Sequence, residues 1–148
     1  MNGTRIESIL RKDAKCRSMF LGVFPCDRLP TRFQLPALLV CNTNPHNAPG
    51  QHWVVIYVES PSYGEFFDSF GRPPDAPFRT FLNDNCSHWI SNDRHLQSAI
   101  SRFCGHYCVF YCLHRCRGSN VNAVVNGLTF DTGLNDYLIH KYICNVLK

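Results

Sequence analysis

The chain lacks any apolar run near the ~20 residues a membrane-spanning helix needs, so no transmembrane segment and no membrane partner is expected. It also lacks an apolar h-region at its start. Met1 to Leu10 carries Arg5 and Glu7, which does not read as a secretory signal peptide. Internal repeats and low-complexity tracts are absent. Charge is sparse: Asp, Glu, Lys and Arg make up 18% of residues, and the net charge is +4. The tight basic clusters, Arg11-Lys12 and Arg115-Cys116-Arg117, are not polybasic tails. Ordinary surface charge explains them, with weak attraction to nucleic acid or acidic partners as the alternative.

An even cysteine count is lacking too. Nine cysteines cannot all pair within one chain. With no secretory signal, the thiols are expected to be mostly reduced, in a cytosolic or nuclear compartment. The glycosylation patterns Asn2-Gly3-Thr4 and Asn85-Cys86-Ser87 then read as chance matches.

What is present is ample core material. The 148 residues fit one domain, 1–148. Hydrophobic residues make up 45%, with eleven Phe, six Tyr and two Trp. That is too apolar for a disordered chain.

Local patterns predict the elements. Arg5 to Lys12 reads as a short helix with Ile6, Ile9 and Leu10 on one side. Phe20 to Phe24 reads as a strand, and Ala37 to Cys41 as either strand or helix. The stretch 42–50 is a loop. Gln51 to Glu59 is nearly continuous in β-branched and aromatic residues, which suits a strand buried on both faces. A turn at Ser60 to Gly64 and a strand from Glu65 to Asp68 complete a hairpin. Gly71 to Pro77 is a loop and Phe78 to Ile90 a helix. Phe103 to Arg115 is apolar almost all round, so a buried central helix is expected, with Ser101 near its N-cap. Asp131 to Leu147 reads as an amphipathic helix with Leu134, Leu138 and Ile143 toward the core. The class is α+β, a small mixed sheet packed against a buried central helix.

Four residues in chain order fit thiol-protease chemistry, which needs a thiolate, an imidazole, a group that fixes the imidazole and donors for an oxyanion. His52 opens the long strand and Asp68 ends its hairpin neighbour. Cys104 starts the central helix, where the dipole and unpaired N–H groups favour a thiolate. Gln97, seven residues earlier, can donate from its amide together with the backbone N–H of Cys104. Gly105 leaves space beside the nucleophile. The order His, Asp, Gln, Cys differs from the papain order, in which Cys comes first. Singly, each residue has a plainer reading: a surface His, a turn Asp, a core Cys, a solvated Gln. The ordered set favours the catalytic reading.

Cys104, Cys108, Cys112 and Cys116 recur every four residues. On one helix they spread over about 18 Å at 1.5 Å per residue, too far for one tetrahedral ion. Core packing is the expectation, with no metal and no cofactor. Phe103, Tyr107, Phe110 and Tyr111 likewise read as core.

The motifs Phe20-Leu21-Gly22-Val23-Phe24 with Asp27, Leu29 and Pro30, Gly50-Gln51-His52-Trp53, Phe66-Phe67-Asp68-Ser69-Phe70-Gly71, and Gln97 with Cys104-Gly105-His106-Tyr107-Cys108 are together similar to one family. The chain resembles the adenovirus protease (adenain) family within the Ulp1-like cysteine peptidases, over roughly residues 5–117. It departs from that family in using Asp68 where adenovirus enzymes usually carry Glu, in a shortened stretch before Gln97, and in lacking a match after Gly118.

The resemblance implies a papain-like/adenain-like cysteine protease architecture. It implies an endopeptidase that cuts viral or transposon (Polinton-type) structural precursors at small-residue, Gly-rich sites, and a location in the host nucleus or virion. An activating peptide and non-specific DNA are the possible partners it suggests. A deubiquitinase or SUMO-type isopeptidase is the alternative, with identical chemistry. A non-enzymatic capsid or nucleic-acid module is the third reading, and the complete residue set argues against it.

Overall fold

The computed structural model describes residues 1–48 and 52–148. Gln51, the first residue of the expected long strand, and residues 49–50 of the loop expected before it lie outside the described residues. The elements run α1 (Gly3–Lys12), β1 (Phe20–Pro25), β2 (Ala37–Asn42), β3 (Trp53–Ser60), β4 (Tyr63–Phe67), α2 (Ala76–Asn85), β5 (Trp89–Ser91), α3 (Cys104–Arg115), α4 (Val121–Asn126) and α5 (Thr132–Val146). The expected α+β class, a mixed sheet against a central helix, holds.

The sheet has order β1-β2-β3-β4-β5. β1 and β2 are parallel, β3 is antiparallel to both β2 and β4, and β4 and β5 are parallel. Period-two alternation divides the central strands between two cores. Leu38, Val40, Val55, Tyr57 and Phe67 face the layer of α1, α3, α4 and α5. Leu39, Cys41, Val54, Ile56 and Phe66 face α2. Covered on both sides, β2 and β3 read as unbroken apolar runs for this reason. α3 buries Gly105, Tyr107, Cys108, Val109, Tyr111, Cys112 and Leu113. Cys108 and Cys112 are core residues, as the packing reading expected.

Several local expectations are corrected. The helix expected over Phe78 to Ile90 ends at Asn85, and Trp89–Ser91 forms β5 instead, with Gly64 paired to Trp89. The backbone N–H of Gly64 also donates to the carbonyl of His88 at 2.9 Å, so a long-range pairing overrides the local helical pattern. The N-cap of α3 is Phe103, with no side-chain cap, rather than Ser101. In α5 the buried residues are Asn135, Asp136, Ile139 and Ile143, whereas Leu134 and Leu138 are 43% and 40% exposed. The helix is rotated to seat polar groups. Asn135 Nδ2 donates to the carbonyls of Leu96 (3.1 Å) and Thr129 (2.8 Å), and Asp136 Oδ1 accepts from the Tyr107 hydroxyl (2.8 Å).

A buried charge fixes α3 to the sheet. Glu65 is fully buried on β4 and accepts from the Tyr111 hydroxyl at 2.6 Å, from Arg115 Nη1 at 3.0 Å, and from the Tyr63 hydroxyl. Arg115 also lies 4.6 Å from the Tyr57 ring centroid. Removing one partner of such a group strands the other in low dielectric. Glu65→Gln is expected to lower unfolding stability by about 3–5 kcal/mol, measured by urea denaturation. A loss under about 1 kcal/mol, the worth of an exposed pair, would contradict this account.

Candidate active site

His52 directly precedes β3 and Asp68 directly follows β4. These strands are antiparallel, with Val55 opposite Phe67, so both residues emerge at the same end of the sheet. His52 Nε2 donates to Asp68 Oδ1 at 2.7 Å, with both residues buried. The other ring nitrogen, Nδ1, is thereby left for the thiol of Cys104, which lines the same cleft as His52. Cys104 is the first residue of α3, where the leading N–H groups have no partner within the helix.

The electrostatics follow from these contacts. Burial opposes a charge on His52, but the hydrogen bonds to Asp68 and Cys104 outweigh it and raise its pKa to about 9. Burial likewise opposes a thiolate at Cys104. The hydrogen bond from His52, the backbone N–H groups of Trp53 and Gly105, and the charge of His52 overcome it and hold this thiol below the usual cysteine range. With its pKa at about 9, His52 is held as the imidazolium near neutral pH, and that charge favours the thiolate form of Cys104.

Asp68 is itself held from three sides. Its Oδ1 accepts from the backbone N–H of Phe70 at 2.9 Å. Asn92 clamps its backbone, donating from Nδ2 to the Asp68 carbonyl at 2.6 Å and accepting the Asp68 N–H on Oδ1 at 3.0 Å. Phe70 stacks on the His52 ring, with centroids 4.9 Å apart. Sequence reading missed Asn92 and Phe70 as supporting residues. Asn92 gave no signal, because its position depends on the pairing of β5 with β4. Phe70 sat in the Asp-Ser-Phe-Gly motif as a visible but unassigned aromatic.

Gln97 lies against the same cleft, a space of about 400 Å³ lined also by His52, Trp53, Phe70, Ser101 and Cys104. It is almost fully buried and firmly held. Its Oε1 accepts from the Ser69 hydroxyl at 2.6 Å, and its Nε2 donates to the carbonyl (3.0 Å) and hydroxyl (2.9 Å) of Ser101. His52, Gln97 and Cys104 therefore line one cleft, Asp68 reaches it through its bond to His52 and lines the adjoining space, and the amide donors of Gln97 point to Ser101.

The expectation of open space beside Gly105 is corrected. A Cβ there would lie 3.1 Å from Met1 Cβ and 3.3 Å from Ile6 Cδ1, so the glycine admits Ile6 of α1 and Met1, two residues before that helix. Met1 is anchored by the Trp53 indole, whose Nε1 donates to the Met1 carbonyl at 3.3 Å. Among the described residues, no group of three or more His, Cys, Asp or Glu side chains is placed to hold a metal ion. No described helix is long and apolar enough to cross a membrane.

No protein-family model matches the chain. In sequence it is similar to the protease of Ovine adenovirus D serotype 7 (isolate OAV287). Identity is 30% over 115 residues, covering 64% of this chain and 56% of that protein. The chain thus spans little more than half the length of this relative. In structure it is similar to the ASFV pS273R protease. One crystal structure of that protease matches with a TM-score of 0.63 at 18% identity over 92% of this chain and 64% of the other. The selenomethionine form matches with a TM-score of 0.62 at 17% identity over 95% and 66%. The fold is that of these viral proteases.

Proposed function

We propose that the chain is a cysteine endopeptidase that cleaves viral or transposon structural precursors at small-residue, Gly-rich sites. The carrying observation is the buried 2.7 Å contact of His52 Nε2 with Asp68 Oδ1, with Cys104 lining the same cleft as that imidazole. The resemblance to an adenovirus protease supports the substrate class.

In this reading the Cys104 thiolate attacks the scissile carbonyl carbon, and the C=O pair moves onto oxygen. The Cys104 N–H, at the start of α3, donates to that oxyanion. His52 gives its Nδ1 proton to the leaving amine, and a thioester remains on Cys104. Neutral His52 then takes a proton from water, whose oxygen attacks the thioester. Collapse releases the acid and returns the proton and thiolate. Asp68 holds the imidazole and stabilises its cation throughout.

Gln97 supplies the second oxyanion donor, once a substrate carbonyl takes the place of Ser101 at its Nε2. Gln97→Ala should then lower kcat by roughly 10²–10³-fold, with KM changed much less, because the contact strengthens mainly in the transition state. Steady-state kinetics on a cleaved peptide decide this. An unchanged kcat would leave the role to another donor.

A catalytic thiolate requires a reducing supply, which fits action inside the cell, in the host nucleus or an assembling virion. The net charge of +4 allows weak dwelling near DNA. The test of the whole reading is a peptide-library cleavage profile, run with and without DNA, beside ubiquitin-like conjugates. Cleavage after small residues in free peptides is expected. Turnover of folded conjugates alone would replace the endopeptidase reading with an isopeptidase, and no turnover of either would remove the enzymatic one.

A further inference from the structure

We infer that Cys16 and Cys116 form a dithiol site that a small-molecule disulfide, such as oxidised glutathione, converts to an intramolecular disulfide tying the turn after α1 to the end of α3. The two residues converge on one backbone atom. The Cys16 thiol donates to the carbonyl of Cys112 at 3.4 Å, and the backbone N–H of Cys116 donates to that same carbonyl at 3.0 Å. The Cys16 sulfur thus lies at the last turn of α3 beside Cys116, which packs against the core cluster that contains Cys16.

The surroundings hold this junction in place. Asp13 accepts the backbone N–H of Cys16 at 2.9 Å on Oδ2. The Arg117 guanidinium bonds both carboxylate oxygens of Asp13, at 2.7 Å to Oδ1 and 3.3 Å to Oδ2. Arg117 also donates to the Leu113 carbonyl at 2.9 Å, within the last turns of α3. One carboxylate thus joins the residue beside each cysteine to its partner element. Metal binding has no support here, since no set of three ligands is assembled among the described residues.

The two thiols differ in the way a disulfide-forming pair needs. Cys16 is fully buried and Cys116 half-buried. The neighbouring Cys16 thiol favours the thiolate at Cys116, burial opposes it, Asp13 disfavours it, and Arg117 and Arg115 favour it. Cys116 is therefore the attacking sulfur and Cys16 the resolving one. The Cys116 thiolate attacks one sulfur of the oxidised disulfide. A mixed disulfide forms on Cys116, and one small thiolate leaves with a proton from solvent. Cys16 then gives up its proton, and its sulfur attacks the Cys116 sulfur. The second small thiolate leaves and takes that proton. The two protein thiols are oxidised by two electrons, and one disulfide is reduced to two thiols.

The site is separate from the candidate active cleft. Cys116 lies twelve positions after Cys104 along α3, about 18 Å at 1.5 Å per residue. A crosslink between residues 16 and 116 would close a long loop of the unfolded chain and so favour the folded state.

The test uses the full chain across a graded series of reduced and oxidised glutathione, quenched by alkylation and mapped without reduction. A peptide linking Cys16 to Cys116, two hydrogens lighter than the alkylation-free sum, is expected at oxidising ratios. The melting temperature should rise by roughly 10 °C. Both changes should vanish in Cys116→Ser, a substitution at the half-buried end chosen to spare the core. If both thiols stay alkylatable throughout, the proposal fails. If Cys116 stops as a mixed disulfide with glutathione that Cys16 never resolves, it fails as well. Both readouts are independent of peptidase activity, so failure here and failure of the enzymatic reading are distinguishable.

Discussion

Cys104→Ala should leave a folded protein whose turnover falls by about 10⁶-fold, the scale seen when the nucleophile of a tightly coupled set is removed. The reason is specific to one sulfur. Cys104 combines the first position of α3 with hydrogen bonds from His52 and from the backbone N–H groups of Trp53 and Gly105. Burial pushes Cys41, Cys108 and Cys112 far the other way, and also raises Cys26 and Cys86. Cys116 is also held low, but it sits at the opposite end of the helix, beside Cys16. Single Ala replacements at the nine positions, each assayed for turnover and for far-UV dichroism, separate the cases. The buried positions should lose stability while the folded fraction keeps its specific activity. Alkylation by a thiol reagent at mildly acidic pH should silence the enzyme only when Cys104 is modified. Full activity in Cys104→Ala would end the thiol-protease reading.

Much of this site is legible in the sequence because its parts sit at the ends of strongly patterned elements. β3 is readable from its β-branched run, and α3 from its length and continuous apolar character. His52 and Cys104 stand at the starts of those two elements, so finding the elements nearly finds the residues. Asp68 follows from the hairpin, whose connection at residues 61–62, shorter than the expected Ser60 to Gly64 turn, leaves the strands antiparallel neighbours. The parts that were not legible depend on long-range contacts. β5 is three residues long, and its pairing with β4 is made by residues distant in sequence. Without β5 nothing places Asn92 against the Asp68 backbone. α4 has six residues and was not foreseen, although Arg94 Nη2 secures its C-terminal side by donating to the carbonyls of Val125 (2.7 Å) and Leu128 (2.8 Å). The face of α5 was misjudged for a related reason. Hydrophobic periodicity gives weight to Leu134 and Leu138, but the buried hydrogen bonds of Asn135 and Asp136 decide the rotation of the helix. Ser101 looked like a cap in sequence, and the structure uses it instead to occupy the amide of Gln97.

His52→Ala should cost nearly as much turnover as Cys104→Ala, roughly 10⁵–10⁶-fold, because nucleophile and base act as one unit and their losses do not add. The double variant should therefore be little worse than either single one. Asp68→Asn tests the same unit more gently. The asparagine carbonyl oxygen can still accept from His52 Nε2 and from the Phe70 N–H, so ring orientation survives while the negative charge goes. An opposite charge at this range is worth roughly 1–3 pKa units, so turnover should fall by roughly 10- to 10³-fold. The pH profile carries the sign. In the parent, burial lowers the pKa of His52, and the hydrogen bonds to Asp68 and Cys104 raise it to a net value of about 9. The imidazolium needed to protonate the leaving amine is therefore lost as pH rises through about 9, and the alkaline limb of activity lies there. In Asp68→Asn the opposing burial remains while one source of support is removed, so that limb should move to lower pH. Asp68→Glu, which restores the charge on a longer arm, should recover part of the rate and return the limb toward its original position. Profiles of kcat/KM for the three proteins decide the matter. An alkaline limb that stays in place in Asp68→Asn would mean that Asp68 does not set the charge state of His52, whatever the rate does.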